Sequence, residues 1–280
     1  MTPCDVQTAA AQVLAAGAIE AKTAAARECA QAWRAGRISA PDAHTPSNAA
    51  ARAGLRPARP SRPQLKPPGQ VPRRRLGTAP GRFALLHAVA HIEFNAIDLA
   101  FDLVMRFAHD PRIGEDQRAA FISDWITVGE DEARHFELVR ARLQAMGGEY
   151  GDLPAHDGLW SAAEATSGDL AARLAVAPMV LEARGLDVTP GMIERLRSVG
   201  DTQGADVLEI IYREEVAHVA AGRRWFEAVC TAEGHDPKAR FQALVAAYFN
   251  GELKRPFNED ARAAAGLPAD WYAPLAAPEA

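Results

Sequence analysis

The sequence predicts an all-α protein built around a four-helix bundle. Alanine is abundant, and the alternation of Val, Ile and Thr that is typical of β-strands is scarce. Between residues 81 and 230, apolar residues recur at helical spacing in four stretches, which are separated by Gly, Pro and Asp signals. With 280 residues, 48% of them hydrophobic, the chain can build one substantial core and carry appendages.

Composition and charge exclude several other classes of protein. A net charge of −5 gives no overall attraction to nucleic acid. The sequence has no apolar run of the roughly 18 residues that a membrane span needs, and its N-terminus lacks the pattern of a signal peptide. The three cysteines, Cys4, Cys29 and Cys230, are widely spaced and form no C-x-x-C pattern. We therefore expect a cytoplasmic protein with no membrane partner.

Four segments follow one another along the chain. They are an N-terminal helical segment (1–38), a proline-rich basic strap (39–80), the four-helix bundle (81–230), and a C-terminal helix and tail (231–280). The first segment predicts one or two helices, with Gly17 as a weak point and Gly36 as a stop. In the last segment, Pro237 begins an amphipathic helix, and Trp271 and Tyr272 are expected to cover one end of the bundle.

The strap is rich in proline and in basic residues, so regular helix or sheet is not expected there. One interpretation is a polyanion-binding arm, and any nucleic-acid contact is expected only through this segment. The favoured interpretation is an extended strap that lies over the acidic bundle, with apolar anchors at Leu55, Leu65, Val71 and Leu76. The basic residues are Arg52, Arg56, Arg59, Arg62, Lys66, Arg73, Arg74 and Arg75, with Arg82 just after the strap.

The bundle helices can be bounded from their stop signals. Pro178 predicts a kink in the third helix, and Asp201 predicts the N-cap of the fourth. The predicted ranges are 81–108, 115–146, 171–186 and 202–231, with a short separate helix at 190–199.

Four glutamates organise the bundle, and two of them are followed three residues later by a histidine. Each glutamate lies in the middle of its helix's apolar stripe, because the positions three, four and seven residues away are mostly apolar. Buried carboxylates are costly unless they are paired or bound to a metal. One such group alone could pair with an arginine or form a solvated helical pair, but six together imply cations between the helices. The six residues are Glu93, Glu132, His135, Glu182, Glu215 and His218.

Histidines His87 and His91 precede Glu93 on the same predicted helix. Two residues of α-helix rotate a side chain by about 200°, so His91 cannot reach the metal that Glu93 would bind. Asp98 and Asp102 fall on this opposite face too. We expect both histidines to be supporting or surface groups.

The order Glu, Glu-x-x-His, Glu, Glu-x-x-His resembles the ligand set of the ferritin-like di-iron carboxylate superfamily. The stretches 87–93 (HAVAHIE) and 255–258 (RPFN) resemble an uncharacterised bacterial branch of it, domain of unknown function 455. A more distant relative in that superfamily is the di-iron hydroxylase that modifies tRNA adenosine. The resemblance implies a ferritin-like bundle in which the six residues bind two metal ions. The long strap departs from a minimal ferritin.

Carboxylate and imidazole ligands without thiolates suit two iron ions, or alternatively Mn/Fe or two Mn. Such a pair could supply electrons to O2, so O2 and an unidentified substrate are the expected partners, with an unknown electron donor. Tyr212, one turn before Glu215, is a candidate catalytic phenol, although it could equally be a core tyrosine. Glu209 is a weaker candidate.

Three functions compete at this level. The first is a di-metal oxidoreductase that uses O2 to oxidise or hydroxylate a substrate. The second is a ferroxidase that handles iron, and the third is an interaction module in which the metal is only structural. A homodimer is compatible with each.

Overall fold

The computed structural model describes residues 5–41, 55–71, 75–249 and 252–276. Within these ranges the chain is all-helical and contains no β-strand, so the predicted all-α class is confirmed. Short extended segments meet only at single β-bridges. No helix among the described residues is long and apolar enough to cross a membrane. The chain divides into two compact units, residues 1–160 and 161–280.

The first unit is built on a long helical pair. α3 and α4 pack along each other, α1 packs on α3, and α2 packs on α4. The break between α1 and α2 falls at Gly17, and Gly36, at a φ of +64°, follows α2. The predicted N-terminal helices are therefore present, and they cover one face of the pair. The helices are α1 (Val6–Ala15), α2 (Ile19–Arg34), α3 (Ala79–Phe107) and α4 (Glu115–Ala145).

Residues 55–71 of the strap are extended apart from one 3-10 turn at Pro68–Gln70, and the last strap residues turn into α3, which begins at Ala79. It packs on the first unit through backbone hydrogen bonds, such as Ala58 N–H to the Leu14 carbonyl (2.8 Å). The predicted anchors Leu55 and Leu65 are wrong, because these side chains are 46% and 50% exposed. The buried residues in the described part of the strap are Pro41, Pro57 and Pro63 instead. The strap predictions for Arg52, Arg73 and Arg74, like Cys4, lie outside the described residues.

The second unit contains the remaining helices, and the boundary between the units falls within α5. Asp201 caps α8 through its side chain (2.9 Å to Gly204 N–H), as predicted. The separate helix predicted at 190–199 is wrong, because α7 runs unbroken through Pro190. The elements are α5 (Gly158–Ala165), α6 (Leu170–Val176), a π-helical segment (Ala177–Glu182), α7 (Ala183–Ser198), α8 (Thr202–Glu233), α9 (Pro237–Tyr248), α10 (Glu259–Ala264) and α11 (Ala269–Tyr272).

Candidate metal centre

Three predicted ligands of the first unit form one buried cluster. Glu93 on α3 is 4% exposed, and Glu132 and His135 on α4 are 1% and 0% exposed. Each offers a ligand atom, and these atoms lie within 4.8 Å of one another. His135 Nδ1 lies 3.4 Å from Glu93 Oε2 and 3.7 Å from Glu132 Oε2. A buried Glu/His cluster that could hold a metal ion is therefore present.

Two carboxylates this close together in the interior require a compensating positive charge. Burial lowers the pKa of His135, but its hydrogen bonds and charge interactions with Glu132 and Glu93 outweigh burial and raise the pKa to about 11. The protonated imidazole thus supplies the compensating charge. A metal ion could take over this role, and its binding would release the proton from His135.

Close helix packing holds this cluster together. Gly129, three residues before Glu132, lies against the Phe101 ring, and a Cβ at Gly129 would come within 2.5 Å of that ring. Phe94 of α3 and Phe136 of α4 also pack their rings at 5.1 Å, and both rings contact Tyr150. The two helices are therefore in close contact, and the ligand side chains between them are 4% exposed or less.

The second unit repeats the Glu-x-x-His geometry on α8. His218 Nδ1 lies 3.6 Å from Glu215 Oε1, close to the 3.7 Å between His135 and Glu132 in the first unit. Glu215 and His218 are 8% and 2% exposed. The two motifs therefore share the same local arrangement of ligand atoms.

Glu182 is half-buried and ends the π-helical segment that precedes α7. We predicted a kink at Pro178, and the distortion takes the form of this π-helix, in which Pro178 contributes no N–H. Pro178 packs against Gly222 of α8, where a Cβ would come within 2.5 Å of the proline ring. Because a short turn joins α7 to α8, the helices run antiparallel. One turn from this contact, Glu182 on one helix is therefore level with His218 on the other.

The candidate phenol and the weaker acid candidate both have other partners. The Tyr212 hydroxyl accepts a hydrogen bond from the Asn258 side chain (3.0 Å). Glu209 forms ion pairs with Arg197 and Arg213. Tyr212 and Glu209 also line a shallow surface groove of about 350 Å³ together with α7 residues.

His87 and His91 are 1% and 6% exposed, so the surface alternative for them is wrong. The ring nitrogens of His91 contact the Tyr150 hydroxyl (2.9 Å) and the His156 carbonyl (3.1 Å). His87 Nε2 accepts a hydrogen bond from Gly151 N–H (2.9 Å). Both histidines therefore tie α3 to the loop that follows α4.

A buried charge network was not predicted. Lys22 of α2 and Asp98 of α3 are both 0% exposed, and Lys22 Nζ lies 2.5 Å from Asp98 Oδ1. Arg59 of the strap lies 3.3 Å from the other oxygen, Asp98 Oδ2. The only sequence signal was that Asp98 falls on a face of α3 opposite to Glu93. That face is buried, because the N-terminal helices and the strap cover it.

Comparison with known proteins gives a family but no activity. The family described as "Protein of unknown function (DUF455)" matches residues 15–273 of the chain. An "Uncharacterized protein" of Haemophilus influenzae is 41% identical over 208 residues, which cover 74% of this chain and 72% of that protein. No solved structure matches the chain.

Proposed function

We propose that this chain, which belongs to the DUF455 family of proteins of unknown function, is a two-metal carboxylate oxidoreductase that uses O2. The observation that carries the proposal is the buried cluster of Glu93, Glu132 and His135, whose ligand atoms lie within 4.8 Å of one another. Buried acids in such a cluster are expected to be paired or to bind a metal. The matching geometry of Glu215 and His218 supports a second set of ligands.

The donor atoms favour iron or manganese. Each set combines carboxylate oxygens with one imidazole and has no thiolate, which suits Fe(II) or Mn(II) better than a structural zinc. Each set would supply ligands to one ion: Glu93, Glu132 and His135 to the first, and Glu182, Glu215 and His218 to the second. Two Fe(II) ions, when bound, can together supply two electrons to O2.

The protein's own residues would prepare the site for this chemistry. His135, whose pKa is raised to about 11 by the two carboxylates, would have to give up its proton to serve as a neutral ligand to a bound ion. The burial of Glu93, Glu132 and His135, which are 4% exposed or less, would keep bulk water away from the bound ions and so limit side reactions. The proposal includes a ferritin-like arrangement of the four ligand-bearing helices. It also includes a catalytic role for the Tyr212 phenol, one turn before Glu215.

An enzyme is favoured over an iron store. Storage in a closed shell needs repeated self-complementary faces on each subunit. In the first unit, α1 and α2 cover one face of the α3–α4 pair, which is therefore not available for such contacts. This covering supports a small assembly that keeps its metal ions enclosed.

The test is Fe(II) oxidation by O2, followed at substoichiometric iron and at large excess, while particle size is recorded. We expect rapid oxidation that stops at about two irons per chain, in a small assembly. The test variant is His135→Ala, which should oxidise less iron, and the matched control is His91→Ala, which should behave like the unaltered protein. Both variants remove a buried histidine, but only His135 belongs to the cluster. Continued uptake of many irons into a large particle would contradict an oxidoreductase and support storage. No oxidation by the unaltered protein would refute both activities.

A further inference from the structure

Asn258, just before α10, makes contacts to both helices of the α7–α8 pair. Its Nδ2 donates to the Leu186 carbonyl on α7 (3.1 Å) and to the Tyr212 hydroxyl on α8 (3.0 Å). Its Oδ1 accepts from Ala261 N–H (3.2 Å) and so caps α10. The orientation of the amide follows from this network, because a carbonyl only accepts hydrogen bonds and must face the NH2 group.

The contact with Leu186 explains how a proline is accommodated inside α7. In an α-helix the Leu186 carbonyl accepts from the N–H four residues later, and that residue is Pro190, which has none. The Asn258 side chain supplies the missing donor. A carbonyl left without a donor at this point would weaken the helix. Asn258 therefore stabilises α7 at the position where Pro190 interrupts its hydrogen bonding.

A buried ion pair fixes the segment that carries Asn258. Arg262 of α10 donates to both carboxylate oxygens of Asp187 on α7, at 2.8 and 2.7 Å. The Asp187 side chain is 0% exposed, and its Oδ1 also accepts from the Asn258 backbone N–H (3.0 Å). Asn258 is therefore held against α7 whatever its own side chain does.

The positions that Asn258 joins lie next to predicted ligands. Leu186 is one turn after Glu182, and Tyr212 is one turn before Glu215. On the other side of the same ligands, Pro178 packs against Gly222. The contacts through Asn258 and through Pro178 thus bracket Glu182 on one helix and the Glu215 motif on the other.

We propose that Asn258 is a positioning residue for the second ligand set, which it holds by joining the Leu186 carbonyl to the Tyr212 hydroxyl. This inference rests on the proposed metal binding by Glu182, Glu215 and His218. Asn258 touches no reacting atom and acts through the spacing and direction of α7 and α8. Partners that orient metal ligands in this way typically change metal affinity by 10- to 100-fold when they are removed.

The variant that tests this is Asn258→Ser. Serine is also a good N-cap residue, so α10 keeps its cap, but its hydroxyl is too short to replace the two amide donors. The matched control is Asp236→Ser, since Asp236 caps α9 through its side chain as Asn258 caps α10, and it follows the C-terminal end of α8, 18 residues after His218. The probe is Co(II) alone, titrated into the full chain without O2 and followed by visible absorption.

We expect Asn258→Ser to bind the second Co(II) ion about ten-fold more weakly and to change the absorption spectrum of that ion. Asp236→Ser should match the unaltered protein in both measurements. The double variant Pro190→Ala/Asn258→Ser should recover part of the affinity, because the alanine that replaces Pro190 would give the Leu186 carbonyl a backbone donor. A double variant as impaired as Asn258→Ser would overturn the role assigned to the Leu186 carbonyl.

The outcomes separate this inference from the proposed function. If the unaltered protein binds two Co(II) ions and Asn258→Ser matches it in affinity and spectrum, the positioning role is wrong and the metal sites stand. The same holds if Asp236→Ser shows an equal loss, because the effect would then be general destabilisation. If the unaltered protein binds no Co(II), the proposed function fails and the inference fails with it.

Discussion

Replacing Lys22 with Met tests whether the buried charge network holds α2 on α3. Lys22 Nζ lies 2.5 Å from Asp98 Oδ1, and both side chains are 0% exposed. Burial lowers the pKa of Lys22 and raises the pKa of Asp98, and the attraction between their charges opposes both shifts. The variant would leave Asp98 buried with Arg59, 3.3 Å from its second oxygen and 22% exposed, as its remaining charged partner.

The magnitude follows from this geometry. Removing one partner of a buried ion pair typically costs about 3–5 kcal/mol, and the retained Arg59 places the Lys22→Met variant near the lower value. Replacing both partners avoids an uncompensated charge, so Lys22→Met/Asp98→Val should cost only about 1 kcal/mol. The two single effects should therefore be strongly non-additive.

The assay is urea unfolding followed by circular dichroism, with the slope of the unfolding free energy against urea compared between variants. The four proteins of the cycle are the unaltered chain, Lys22→Met, Asp98→Val and the double variant. A decrease of less than about 1 kcal/mol in the free energy of unfolding for Lys22→Met would refute the reasoning, because it would mean that Asp98 does not need Lys22 as its buried partner. Additive single effects would refute it as well.

Three further predictions concern the ligands, helix packing and pH. Glu182→Ala should lose one metal ion and His91→Ala none, as measured by elemental analysis; loss in His91→Ala would mean that the helical phase assigned to α3 is wrong. Gly222→Ala should cost about 1–3 kcal/mol in urea unfolding, because its Cβ would meet Pro178 at 2.5 Å; an unchanged stability would contradict that contact. Burial, opposed by the charge of Asp152, lowers the pKa of His87 to about 4, so the stability it contributes is full above its unfolded pKa of 6.5 and is lost as pH falls toward 4. The free energy of unfolding should fall between pH 7.5 and pH 4.5 by about 2 kcal/mol less in His87→Gln than in the unaltered protein. Equal decreases in the two proteins would show that His87 is not the source of the pH dependence.

The sequence was informative wherever a feature depends on one helix. The spacing of Glu132 and His135, and their place on an apolar stripe, follow from the rotation per residue, and the structure buries both. The N-cap at Asp201 follows in the same way, because its partner Gly204 is three residues away. Local periodicity also rules out His91 and Glu93 as ligands of one metal ion, since two residues place them on different sides of α3.

The features that depend on distant segments could not be predicted. Pro190 was predicted to mark a helix boundary, but α7 continues through it. The hydrogen-bond donor that proline lacks is supplied by Asn258, far along the chain, and the sequence near Pro190 cannot show this. Lys22 lies in an alanine-rich helix, and only the packing of α2 in the first unit buries it beside Asp98. Leu55 and Leu65 failed as strap anchors for a similar reason, whereas Val71 and Leu76 are half-buried. Apolar character favours burial, but in an extended segment the contacts with distant helices decide which side chains become buried.

Metal content is the measurement that tests the central claim most directly. The full chain should be reconstituted anaerobically with Fe(II), or with Mn(II), desalted and analysed by elemental analysis. We predict about two metal ions per chain, and about one in Glu132→Gln, whose amide is a poor ligand. Protein that is folded by circular dichroism and retains no metal with either ion would contradict the account.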